Sequence, residues 1–410
     1  MPWFPFWLAV ATLLLVVVTT IEFAIGNRSL ARLTDQPTYS EGGNGRDAAR
    51  LHQRCSADES ATRSYRGDRP PKVSVVIAAR NEARRIGQGL QSVLAQDYPN
   101  LEFIVVDDRS TDETGRILDH AANRDSRLRV VHVADVPTGW LGKTHALHLG
   151  AARATGDLLL FTDADVIMEP SVIGRAVSFI MREQIDHLAV TPQLRMPGTL
   201  LSMFGGVFAL FFAVYAKPWQ ARNPRSPRHI GIGAFNLLRA DVYRAIGGHR
   251  AIAMRPDDDM KLGKLIKKHG YRQDVALGGK LMTVEWYSSL GELVRGLEKN
   301  TYAGVDYSFP VVLLSSMAQI IICFWPMAAL LVTRGATWWL NLAIVALLAL
   351  LYIDTAQSHR AKRWHCVGIP VTALLFQYII WRATLKTLWN DGIDWRGTHY
   401  SLKELRANKV

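Results

Sequence analysis

Apolar runs that stop abruptly at charged residues set the pattern of the first half of this chain. KVSVVIAARNE (72–82), LEFIVVDDRSTDET (101–114) and LLLFTDADV (158–166) each run apolar and then turn polar. They end at Arg80 and Glu82, at Asp107 and Asp108, and at Asp163 and Asp165. Apolar runs this short, bounded by polar residues, read as buried strands. Between the first two lies a helical segment, Ala83 to Gln96, closed by the breaker Asp97-Tyr98-Pro99-Asn100. Strand, helix and strand predict a parallel pair joined by a right-handed crossover. GWLGKTHALHLGAARATGD (139–157) then supplies a glycine-flanked turn, Lys143 and a small-residue helix leading into the third strand. The three polar tips fall on one edge of a sheet, where open α/β folds place their ligands.

A further acidic cluster lies in MRPDDDMKLGKLIKKHGYR (254–272), where Met260, Leu262, Leu265 and Ile266 follow a helical spacing. The aspartates occupy the first turn, where one would cap the helix and oppose its dipole. One cap needs one Asp, and three adjacent carboxylates repel each other. Crowding and partial burial raise a carboxylate's pKa toward the range useful for proton transfer. Just upstream, GIGAFNLLRADVYRAIGGH (231–249) carries glycines that permit close backbone approach. Asp163 and Asp165 are hard oxygen donors of the kind that hold Mg²⁺ or Mn²⁺ together with substrate phosphates.

Taken in this order, the motifs resemble the nucleotide-binding half of family 2 glycosyltransferases with the GT-A fold, over roughly residues 71 to 300. The resemblance implies an α/β, Rossmann-like, mostly parallel sheet, with transmembrane α-helices outside it. It implies that Ala78, Arg80 and Glu82 contact the nucleotide and that Asp108 bonds the base. Lys143 would lie near the diphosphate, Asp163 at the ribose or sugar, and Asp165 at the metal, with Asp163 beside it. The family's Glu-Asp or Asp-Asp pair before x-x-Leu-Gly falls on Asp258 and Asp259, which makes Asp259 the first choice for general base and Asp258 the second. Many processive members carry Gln-x-x-Arg-Trp where this chain has YSSLGELVRGLEKN (287–300), ending Glu298-Lys299-Asn300. That departure favours a single transfer over polymer synthesis.

Outside this region the pattern changes to long apolar stretches. Residues 6–25 are long enough to span a bilayer. No Lys or Arg precedes them and Arg28 and Arg32 follow, which reads as an uncleaved anchor with its positive flank in the cytoplasm. Residues 1–26 form this anchor and 27–70, rich in Arg, Ser, Gly and Asp, a flexible linker. Residues 71–310 form the catalytic domain, 311–390 hold C-terminal transmembrane helices, and 391–410 form a basic cytoplasmic tail. Apolar segments at about 311–333, 338–353 and 367–381 leave the tail outside if all three cross. The loop with Arg360, Lys362 and Arg363 reads as cytoplasmic, so one segment is expected to be re-entrant or interfacial. The run 200–216 cannot cross once without separating Asp163 from Asp259. Residues 200–229 are therefore expected as an interfacial helix, with Lys217, Arg222, Arg225 and Arg228 at anionic headgroups.

A net charge of +12 could suggest nucleic acid, but no nucleic-acid motif is present and the basic residues cluster beside apolar segments. Cys55, Cys323 and Cys366 are too scattered for a zinc site, and His145 and His148 read as packing residues. The expectation is a multi-pass enzyme of the cell membrane with a cytoplasmic catalytic domain. It would move a hexose, with inversion and a divalent metal, from a nucleotide-diphosphate sugar to a membrane lipid, as relatives acting on ceramide, carotenoids or hopanoid-type lipids do. The alternatives are a polysaccharide synthase and a non-catalytic membrane scaffold.

Overall fold

The structure, a computed structural model, describes residues 3–38, 70–359 and 361–410. Most of the expected linker, with Cys55, and Arg360 lie outside the described residues. The three acid- or amide-tipped runs form β2 (Val73–Ala79), β3 (Leu101–Asp108) and β5 (Leu158–Asp163), with β4 (Leu128–Val133) beyond β3. All four are parallel, in the order β4-β3-β2-β5. Pairing aligns Ala79 with Asp107 and Ala78 with Asp163, so the strand tips finish level.

The sheet continues through β8 (Asn236–Arg239), antiparallel to both β5 and β7 (His187–Arg195), then through β9 (Gln273–Glu285), parallel to β7. A short β6 (Val166–Met168) pairs antiparallel with β9. Helices cover both faces, as buried parallel strands require. Val75 and Ile77 pack with Ile86, Leu90 and Val93 of α2 (Ile86–Leu94) and with Val172 and Val177 of α5 (Val172–Glu183). Val76, Leu159 and Phe161 face the other way. They meet Leu147 of α4 (Gly142–Arg153) and Leu262 and Ile266 of α8 (Asp258–Lys268). α3 (Thr114–Ala122) and α7 (Ala240–Ala245) complete the layers.

Five helices among the described residues are long and apolar enough to cross a membrane. They are α1 (Phe4–Ser29), α6 (Thr199–Ala216), α10 (Phe309–Val332), α11 (Gly335–His359) and α12 (Ile369–Trp389). Asn27 of α1 donates to Asp354 and Ser358 of α11, each at 2.9 Å, so the C-terminal ends of these two helices lie together. α6 is packed within this group, its Gly206 set against the Tyr352 ring of α11 with no room for a Cβ. α12 packs on α6 and on α9 (Leu290–Thr301), where Glu298 holds both Arg382 and Lys386.

Two segments expected as linker and tail are built into the fold. After α1, β1 (Ala31–Arg32) adds to the sheet edge beside β9, and Leu33 is fully buried. The chain end forms a hairpin, β10 (Gly392–Trp395) with β11 (Thr398–Ser401), and a short α13 (Leu402–Ala407). Composition hid both, because a two-residue strand and a hairpin of two four-residue strands carry too little periodicity to read. Of the basic residues expected at headgroups, Lys217 pairs with Glu22 at 2.6 Å, and Arg222 pairs with Glu183 and Asp274. Both therefore already have carboxylate partners in the protein.

If Leu33 anchors β1 in the core, Leu33→Ala should cost about 2–5 kcal/mol, the usual penalty for emptying a buried leucine site. Thermal unfolding in detergent should show a lowered midpoint for Leu33→Ala and none for the neighbouring Thr34→Ala. Equal midpoints for wild type and Leu33→Ala would mean that this segment contributes nothing to the domain.

Candidate active site

The level strand tips bring the acids together, and Lys143 sits among them. It projects from the first turn of α4, its Nζ 2.9 Å from Asp163 and 3.5 Å from Asp258. Asp258 and Asp259 project from the first turn of α8. Gly233 joins the two sides: its N–H donates to Asp259 at 2.8 Å and its carbonyl accepts from the Asp163 N–H at 3.1 Å. Gly231 and Gly263 lie so close to the backbone of Asp259 and Ile230 that neither has space for a Cβ. These glycines press chain against chain, and only Gly233 faces the acids.

At the other end, Asp108 accepts from Arg109 at 2.8 Å and lies 3.6 Å from Arg80. Glu82 follows Arg80 and pairs at 3.0 Å with Arg396, a residue from the turn of the C-terminal hairpin. Arg80 donates to the Arg396 carbonyl at 2.7 Å, and Arg396 donates back to the Arg80 carbonyl. Trp395 lies over Lys299, whose Nζ is 4.1 Å from the ring centroid. Neither Trp395 nor Arg396 is visible as a site residue in sequence. The one available signal is a Trp-Arg-Gly turn in an otherwise basic tail.

Electrostatics divide the acids. Burial would raise Asp163, but Lys143 outweighs it and holds the carboxyl below its ordinary range. Burial would likewise strip Lys143 of its proton, yet Asp163, Asp258 and Asp259 drive its pKa well above normal. Burial and the charges of Asp163 and Glu82 push Asp165 up to about 7. Asp258 and Asp259 are both raised, chiefly by burial, Lys143 opposing in each and Asp258 adding to the rise in Asp259. His249, 3.9 Å from Asp258, is pulled down to about 3 by burial and by Lys143, so it is a neutral neighbour. Burial, Lys143 and Arg396 bring Lys299 down to about 8.

Among the described residues Asp165 has one cationic contact, Arg85 at 3.6 Å. Among the described residues no set of three acidic, histidine or cysteine side chains could hold a metal ion unaided. Two carboxylates, one of them short of positive charge, suit a divalent ion completed by phosphate oxygens and water. The donor set therefore fits Mg²⁺ or Mn²⁺ arriving with a diphosphate.

A single cavity of about 1220 Å³ contains all nine sequence-selected residues: Ala78, Arg80, Glu82, Asp108, Lys143, Asp163, Asp165, Asp258 and Asp259. Lys299 and Arg396 also line it. The same cavity continues into an apolar arm among Leu15 and Val16 of α1, Phe208, Phe211 and Phe212 of α6, Ile322 of α10, Leu348 and Leu351 of α11, and Phe376 of α12. Phe208 stacks near Trp286, their centroids 4.5 Å apart, so this aromatic wall starts beside the sheet.

Residues 74–247 match the family described as Glycosyl transferase family 2. A 4,4'-diaponeurosporenoate glycosyltransferase of Staphylococcus aureus is 24% identical over 353 residues, covering 81% of this chain and 89% of its own length. In fold, the chain is similar to a mannosyltransferase of Pyrobaculum calidifontis whose structure is a complex with GDP-Man and Mn²⁺. That match has a TM-score of 0.53 and 18% identity, and covers 93% of this chain and 98% of the other. The mostly parallel sheet is thus a GT-A-type fold.

Lys299 faces the acids with a proton that it loses near pH 8, and a bound diphosphate would retain it. Through Lys299, nucleoside-diphosphate affinity should weaken by up to tenfold per unit above about pH 8, the limit for one coupled proton. Lys299→Met should bind more weakly and lose the alkaline limb. Calorimetric titration across this range checks both, and a wild-type curve without an alkaline limb would place Lys299 away from the diphosphate.

Proposed function

We propose that this chain, which carries a Glycosyl transferase family 2 domain over residues 74–247, moves a sugar from a nucleotide-diphosphate sugar to a lipid acceptor at the membrane surface, with inversion. The observation that carries this reading is the continuity of one cavity from the carboxylate cluster into an apolar arm between membrane-type helices. The carotenoid-acid acceptor in the name of the Staphylococcus aureus relative supports a lipid-like substrate, and the GDP-Man of the archaeal mannosyltransferase supports a nucleotide sugar.

In this reading Arg80, Glu82 and Asp108 hold the nucleoside, and Asp108 meets the base. Asp163 and Asp165 would hold a divalent ion, which when bound supplies positive charge to the diphosphate oxygens. Lys299 and Arg396 add charge from the opposite wall as the diphosphate leaves. Asp259 takes the proton of the acceptor oxygen as that oxygen attacks the anomeric carbon. Asp258 is a weaker candidate for this role, because it is almost fully buried and faces Lys143 and His249. The backbone N–H groups of Gly233 and Met260 fix both oxygens of Asp259, each at 2.8 Å.

The packing also suggests a route through the membrane. The C-terminal ends of α1 and α11 meet at Asn27 and Asp354, so these helices run parallel, with α10 antiparallel between the domain and α11. Three crossings by α1, α10 and α11 leave the domain and the loop at Lys362 and Arg363 on one side, the cytoplasm by the positive-inside trend. α12 then lies at the interface rather than across it. It contacts the first half and the middle of α10, where Trp381 donates to Ser316 at 3.0 Å and Gln319 donates to the Ala373 carbonyl at 3.3 Å. It leads into a hairpin bound to Arg80 and Glu82.

Asp259→Asn should lower turnover on the order of 10²–10⁴-fold while donor affinity, read by calorimetry, stays near wild type. If Asp258→Asn is the inactive variant and Asp259→Asn turns over normally, the base is Asp258.

Cysteine replacements give the topology test. In whole cells an impermeant maleimide should label Arg334→Cys, whereas Ser226→Cys and Lys403→Cys should label only after permeabilisation. Outside labelling of Lys403→Cys would make α12 a fourth crossing and contradict the docked hairpin.

A further inference from the structure

A second cluster of charge lines the same cavity beyond Asp259, and the donor chemistry does not use it. Gly231 and Gly263 clamp residues 228–233 against α8, which sets Arg228 and His229 beside that helix. On α8, Asp257, Lys261 and Lys264 follow one another at i, i+4 and i+7 and present one face. Lys261 lies 2.8 Å from Asp306 and 3.6 Å from Asp257, and Arg255 lies 2.9 Å from each of the same two acids. Two carboxylates thus serve two cations. Among the described residues neither Arg228 nor Lys264 has a carboxylate within 4.0 Å, and the guanidinium of Arg228 donates to the Tyr215 carbonyl at 2.9 Å. Both are half-buried and both line the cavity. Half-buried cations without counter-ions are costly to maintain, which points to an anion supplied by a ligand.

We infer that Arg228 and Lys264 form an anion subsite for the acceptor, which is a lipid carrying a phosphate or carboxylate set back from its reacting oxygen. The inference rests on the lipid-acceptor reading above and names the chemistry of that lipid. Lys264 lies five residues past Asp259, about 7–8 Å along the helix and about 140° round it, so a bound anion would stand well back from the reacting oxygen. The apolar arm on the far side takes the chain of the same molecule. Bulk headgroups are a poorer fit, because these two side chains face the cavity while Lys217 and Arg222 are held by protein carboxylates.

The test uses the full chain in phosphatidylcholine nanodiscs, with UDP, GDP and Mn²⁺ saturating so that the donor half is filled. The probes are hexadecyl phosphate, hexadecanol and inorganic phosphate, each competing with a photoreactive hexadecyl phosphate for labelling of the cavity. Hexadecyl phosphate should compete at least tenfold better than hexadecanol, and the double variant Arg228→Ala/Lys264→Ala should reduce that preference to under threefold. The charge-conserving pair Arg228→Lys/Lys264→Arg should keep it, which separates lost charge from lost fold. Equal competition by the alcohol, or a preference that survives the double alanine variant, would overturn the subsite. Competition by inorganic phosphate at the concentration of hexadecyl phosphate would overturn its assignment to a lipid. Failure of the nucleotides to bind would instead count against the transferase reading, and the ratio between the two lipid probes would still be measured.

Discussion

Six carboxylates, Glu82, Asp108, Asp163, Asp165, Asp258 and Asp259, line one cavity at the sheet edge, and Lys143 offsets the charge of those at its centre. An unpaired buried carboxylate is costly, and several held together repel one another as well. Lys143 reaches Asp163 and Asp258 from opposite sides, and its position is fixed by Gly142, which has no room for a Cβ beside Asp108. The compensation is uneven, and that unevenness has a chemical consequence. Asp163 is held ionised, while Asp165, two residues on, is pushed to about 7. Neighbouring acids with pKa values driven apart mark different tasks. Asp165 is where further positive charge is most wanted, and Asp259, raised by burial and by Asp258, is likewise shifted toward neutrality.

The donor half was readable in sequence because each of its parts is local. Three strands carry their polar tips in the same string, and parallel register then levels Asp107, Asp163 and Ala79. Helix capping, the plain explanation for the Asp257–Asp259 run, is not what the structure shows. The N-cap residue Asp257 makes no side-chain cap, and its carboxylate goes to Arg255. Lys299 was harder to judge, since a lysine on an amphipathic helix is usually solvated. Here Trp395, almost a hundred residues later, covers it. No periodicity connects those positions, and composition read the tail as a loose basic end.

In the proposed topology, that tail bears on a question of parity that hydropathy alone left open. Three apolar segments after the domain would carry residues 391–410 across the membrane, yet the hairpin is bonded to Arg80 and Glu82. Asn408 further ties the chain end to the backbone of Ala251 and Met254. A window of apolar residues measures only whether a helix could cross. α12 meets that criterion and still spends Arg382 and Lys386 on Glu298 of α9, an amphipathic helix of the domain.

In the proposed reading, α8 connects the two halves of the chemistry. Its apolar face, with Leu262 and Ile266, is buried against Val76 and Phe161 of the sheet, so the helix has little freedom to tilt. Its first turn meets Lys143 and Gly233 on the donor side, and its next turns carry Lys261 and Lys264 toward the acceptor side. The acids at its N-terminus and the lysines that follow also suit the helix dipole, so the charge gradient costs the helix nothing. A rigid helix that bears the proposed base at one end and cations a turn or two later would set the distance between the reacting oxygen and whatever those cations bind. Selection of an acceptor can then come from the spacing along one helix, with the donor half left unchanged.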